Sequence, residues 1–133
     1  MYKMQRAYLI TMTALIIHQI DAAFWHEWDM FLLPGGIQGF LLFNILIIPF
    51  VLFGHQQVIL KTSKAALYAY ICAGLGIITF AIHLGFYLFG FDEFMLPLSW
   101  ATLITCLISG GWLILSTRTF IKDSYPCVKK STP

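Results

Sequence analysis

Four apolar stretches, each close to the length needed to cross a bilayer, leave this chain almost nothing else to fold around. A hydrocarbon core of ~30 Å is crossed by about 20 helical residues. Segments near 7–26, 36–53, 65–89 and 98–117 meet that length, the second being slightly short. Without water in the core, backbone N–H and C=O groups have to be satisfied within the segment, which a helix achieves. Composition agrees: 59% of residues are hydrophobic and 11% charged, whereas a soluble domain carries roughly 25% charged residues. The expectation is an all-α fold, a single four-transmembrane-helix bundle over residues 1–118 with a basic tail over 119–133. The first stretch contains His18 and Asp21 and lacks a small-x-small cleavage site, so it reads as a retained helix and not a signal peptide.

Charge orients the bundle. Lys3 and Arg6 precede the first stretch, Lys61 and Lys64 separate the second from the third, and Arg118, Lys122, Lys129 and Lys130 follow the fourth. The alternate connections, His26–Gly36 and Phe91–Pro97, have no basic residue and hold Glu27, Asp29, Asp92 and Glu93. Under the positive-inside rule both termini are cytoplasmic and the acidic turns face out. A multi-pass protein of a bacterial inner membrane is expected. The basic residues flank spans, so they suit anionic headgroups of membrane lipids and exclude a nucleic-acid partner. Cys72 and Cys106 lie within spans and Cys127 in the tail, which is not a disulfide framework.

Small residues mark packing faces. Ala69, Ala73, Gly74 and Gly76 in the third helix, with Ser109, Gly110 and Gly111 in the fourth, let helix backbones approach. Pro34 and Pro97 are expected at the starts of the second and fourth helices, where a missing N–H costs nothing. Pro49 is expected to shape the inner end of the second helix. A faint parallel repeat is also legible: each half has a His toward the outer end of a helix, an acidic–aromatic–Met turn, a Leu-Pro and a returning helix.

No nucleophile elbow, phosphate-binding glycine loop, paired-cysteine zinc site or di-iron carboxylate motif is present. Polar residues instead collect at one depth. Helical rise puts His18 and Asn44 ~12 Å, and His83 ~10 Å, below the outer helix ends. Thr105 and Cys106 occupy a similar level. Such a layer is either a shared intramembrane site or four separate helix–helix hydrogen bonds. His18 and Asp21 share a helix face, which Trp25 continues, and His83 and Tyr87 form a similar pair. An acid within a span is a functional candidate by default. The candidate ligand-binding residues are therefore His18, Asp21, Trp25, Asn44, His83 and Tyr87. A divalent metal would draw on His18, Asp21 and His83, with His26 and Glu27 from the first outer turn. Blander roles compete: a carbonyl bond for His83, interhelical glue for Asn44, and an interfacial belt for Trp25, Trp28, Trp100, Phe31 and Phe94.

His18-Gln19-Ile20-Asp21-Ala22, followed by an aromatic-acidic turn and Leu-Pro-Gly, resembles small bacterial membrane families, one of them named for a His-x-x-Glu-Glu motif. Asp21 stands here for the first Glu and Ala22 for the second. The resemblance covers about the first forty residues and implies a compact bacterial polytopic protein. Three function classes stay open: a polar-site protein binding a cation, a proton or a lipid-like ligand, whether or not it is an enzyme; an accessory or scaffolding subunit of a larger membrane complex; and a small ion-coupled transporter working as a homo-oligomer.

Overall fold

Each apolar stretch forms one long helix in a computed structural model, which describes residues 2–124. The elements are α1 (Tyr2–Phe24), the one-turn α2 (Glu27–Met30), α3 (Ile37–Ile59), α4 (Ala65–Leu88) and α5 (Pro97–Ser124). No strand occurs among the described residues. Lys129, Lys130 and Cys127, with most of the expected tail, lie outside them.

Helical hydrogen bonding runs on where the apolar sequence stops. α3 continues past Phe53 through His55, Gln56 and Gln57, so Pro49 lies inside the helix and not near its end. A left-handed Lys61 (φ 55°) then closes it. The Thr62 amide reaches back to the Gln57 carbonyl, and the Thr62 hydroxyl donates to Gln57 Oε1 at 2.8 Å. This backbone wrap satisfies carbonyls that the helix end leaves open. α5 likewise continues through Phe120 and Ile121 to Ser124, into the expected tail. Pro97 opens α5, but Pro34 falls in the turn ahead of α3 and outside the helix.

α1 and α4 form the centre of the bundle and pack on each other. α3 and α5 sit on opposite sides of that pair and do not touch. Met4, Tyr8, Met12 and Leu15 supply the buried face of α1 at helical spacing. The Tyr8 hydroxyl donates to the Val51 carbonyl at 2.9 Å and ties α1 to α3. α4 and α5 approach through two glycines. A Cβ on Gly76 would lie 2.8 Å from the Cys106 carbonyl oxygen, and one on Gly110 would lie 2.9 Å from that of Ala73. Gly74 and Gly111 face open space.

Leu42, Ile45, Leu46, Ile78, Ile108 and Leu115 point outward with no interior partner. In water so continuous an apolar surface would drive association. Four helices long and apolar enough to span a bilayer account for it. The chain is a multi-pass membrane protein, and its outward side chains are solvated by lipid.

Candidate metal centre

The site is built at the end of the bundle that carries the acidic connections. α1 brings His18 into the interior, 1% exposed. About two helical turns later the chain must reverse. His26 takes a left-handed conformation (φ 55°, ψ 47°) and starts α2 with no side-chain cap. That turn swings Glu27 inward while His26 stays outside, stacked on Trp28 at 4.8 Å. Glu27 is 7% exposed although it lies outside all four spans. α4 presents His83, 5% exposed, from the opposite side.

Hydrogen bonding decides what His83 offers. Its Nδ1 lies 2.8 Å from the Thr79 carbonyl oxygen. A carbonyl only accepts, so Nδ1 carries the proton, and whenever the ring is neutral the lone pair of Nε2 faces the interior. Nε2 stands 3.2 Å from Glu27 Oε1, yet off the line of a hydrogen bond. His18 Nε2 lies 3.9 Å from the same oxygen, beyond hydrogen-bond length. The two imidazoles meet edge to face, with centroids 4.6 Å apart. One donor atom from each of His18, Glu27 and His83 falls within 4.8 Å of the others.

A bare lone pair on His83 facing a carboxylate repels in a low-dielectric interior, and a proton or a cation between them turns repulsion into attraction. Burial pushes the Glu27 carboxyl up, but the contacts and charge of protonated His18 and His83 outweigh that and hold it at about 2. At 3.9 Å His18 acts through charge and not through a hydrogen bond. For a metal, the donor set is two imidazoles and one carboxylate, a common catalytic zinc set that leaves a fourth position open. Donors about 2.0–2.1 Å from a tetrahedral ion are roughly 3.3 Å apart. The Glu27–His83 separation, 3.2 Å, already matches, and the His18–Glu27 separation is wider at 3.9 Å.

Phe94, from the α4–α5 connection, seals the centre. It is 3% exposed and its ring lies 4.4 Å from that of His83 and 5.5 Å from that of His18. Its φ of 64° is a conformation a bulky residue seldom takes, and it costs on the order of 1–3 kcal/mol. Packing of Phe94 among Ala22, Phe40, Leu103 and Trp25 holds it there. Away from Phe94 the centre opens into a cavity of about 340 Å³ lined by His18, Glu27, His83, Gln19, Thr79 and apolar residues of α3 and α4.

A family model matches residues 4–120, which takes in nearly all of the four long helices and all three donors. The chain belongs to DUF6713, a family of unknown function. No curated protein and no solved structure matches the chain.

In this DUF6713 chain the remaining candidates stand apart from the three donors. Asp21, partly buried with Oδ2 shielded and unpaired, is not one of the converging group. Asn44 donates to the Phe40 carbonyl of its own helix at 2.9 Å. Thr105 does the same with Ala101 at 2.7 Å and is exposed. Cys106 is buried in the main core. Tyr87 is exposed and packs on Trp100 at 5.4 Å. Trp25, His26, Asp29 and Glu93 line a separate 330 Å³ pocket at the acidic end. The carbonyl bond expected of His83 as a blander role is made, to Thr79, whereas Phe94 as a lid was not foreseen. Phe94 is hidden among ordinary interfacial aromatics, so its role had no signal in the sequence.

Proposed function

We propose that this protein is a divalent-cation-binding protein of the bacterial inner membrane, with His18, Glu27 and His83 as its metal ligands and the acidic connections outside the cell. One observation carries the reading. His83 is locked by Thr79 as the tautomer that offers Nε2, and that nitrogen faces a carboxylate oxygen at 3.2 Å. A ligand nitrogen whose other ring N–H is held by a carbonyl is the usual arrangement around bound metal. Nitrogen and carboxylate donors together favour a borderline ion of the zinc type over calcium or magnesium. Once bound, such an ion supplies a Lewis acid and acidifies the water on its open position. An accessory subunit would need no such convergence of donors from three elements.

The test is zinc stoichiometry by elemental analysis, with affinity by calorimetry, on protein in lipid nanodiscs. About one zinc per chain is expected. His18→Ala, Glu27→Gln and His83→Ala should each weaken binding at least tenfold, about 1.4 kcal/mol. His55→Ala, which removes a ring packed on Tyr8 in the other half of the bundle, should leave it unchanged. Full zinc occupancy in all three ligand variants would overturn the assignment. Absence of zinc, copper, manganese and iron from the intact protein would leave the cluster a proton-binding site.

A further inference from the structure

We infer that the metal-loaded centre takes the carboxylate of a single-chain fatty acid, whose hydrocarbon tail lies in the cleft between α3 and the α1–α4 pair. The inference rests on the metal assignment above and adds the chemistry of its ligand.

The cavity is polar at one end only. Beyond His18, Glu27 and His83, with Gln19 and Thr79 in the wall, its lining is apolar, including Phe40, Phe43, Leu75 and Ile78. It does not stop there. A further void of about 70 Å³ is lined by Ile47, Ile48 and Val51, and shares Gln19, Phe43, Leu75 and Thr79 with the first. Together they follow α3 from Phe40 to Val51, a rise of about 16 Å. That is half of a ~30 Å hydrocarbon core, the depth that one acyl chain occupies in one leaflet. Phe43, Ile78 and Ile82 on the cleft are exposed, so the entrance faces the lipid phase. The main chamber falls within the ordinary range of ligand pockets, about 300–1,000 Å³.

Charge selects the head. No Lys or Arg lines either void, and Glu27 is the one charged group in the lining besides the imidazoles. Without a cation, an anionic head would meet Glu27 unscreened. A divalent ion held by one carboxylate and two neutral imidazoles leaves a net positive centre with an open position. That centre attracts a carboxylate and repels an amine. Unpaired Gln19 Oε1 adds a shielded acceptor to the same wall, suited to an ordered water beside the head. The narrow continuation suits one chain, which disfavours a two-chain phospholipid.

The test uses zinc-loaded and metal-free protein in phosphatidylcholine nanodiscs, with oleate and its neutral-headed counterpart oleyl alcohol as probes read by native mass spectrometry. Oleate should bind the zinc form at least tenfold more tightly than the metal-free form, and tenfold more tightly than oleyl alcohol binds the zinc form. Leu75→Trp, which fills the shared wall, and the more exposed Ile78→Trp, which narrows the entrance, should keep one zinc per chain and lose oleate by a similar factor. Zinc retention reports folding in each variant. Equal oleate binding with and without zinc, equal binding of the alcohol, or full oleate binding by both zinc-loaded tryptophan variants would overturn the inference. If zinc binds and oleate does not, this inference falls and the metal assignment stands. If none of zinc, copper, manganese and iron binds, both fall.

Discussion

His83 acquires its chemistry from a carbonyl four residues back, which ties up one ring nitrogen and leaves the other facing Glu27. That single bond separates a histidine that merely satisfies itself from one that offers a ligand. Both histidines were recognisable in the sequence as intramembrane polar groups. Their partner Glu27 was a candidate only beside Asp21 and His26, because Asp21 shares a helix face with His18 whereas Glu27 lies nine positions on, outside any span. The pH response follows from Glu27. Its folded value, about 2, lies below the ordinary carboxylate range. The ionised group therefore adds stability above that range, and the contribution is lost only as pH falls toward the lowered value. In the proposed site, ion and protons compete for the ligand atoms, so zinc affinity falls in acid. Zinc retention measured from pH 7.5 to 4.5 should show Glu27→Gln binding more weakly at every pH while the sensitivity to acid persists. Loss of acid sensitivity in Glu27→Gln would mean that the imidazoles do not hold the metal.

At the level of helices, packing is decided by which small residues face a neighbour. Gly76 and Gly110 touch the opposing backbone, and Gly74 and Gly111 touch nothing. All four looked alike as sequence, since a run of glycines carries no rotational information. Gly110→Leu forces α4 and α5 apart, a form of overpacking that costs about 1–3 kcal/mol. Gly111→Ala fills empty space and relieves backbone entropy in the helix, a gain of about 0.5–1 kcal/mol. Unfolding in mild detergent, followed by circular dichroism, should rank them as Gly110→Leu below the unmodified protein and Gly111→Ala at or above it. The reverse order would show that the α4–α5 register is wrong. Helix length was also only partly legible. Hydrophobicity marks where the bilayer ends, but α3 and α5 continue beyond it because the backbone ladder needs only local partners.

For the whole molecule, orientation is a matter of charge at the ends, and the site inherits it. Lys61 and Lys64 stand at one end of α3 and α4, Asp29 and Glu93 at the other. Cysteines placed at positions 29 and 64 in separate variants should react differently with a membrane-impermeant thiol reagent on intact bacteria. Asp29→Cys is expected to label and Lys64→Cys to stay protected until the cells are opened. Labelling at 64 alone would reverse the topology and put the centre on the cytoplasmic side. The number of spans, the helical state and the charge asymmetry were all determined by the sequence alone, because apolar length and charge act locally and need no knowledge of neighbours. Which polar groups meet was decided only by tertiary structure. A left-handed turn at His26, the short α2, and the rotation of α1 against α4 bring an out-of-span carboxylate between two in-span imidazoles. Contact across helices depends on rotation about each axis, and only the packed bundle sets that rotation.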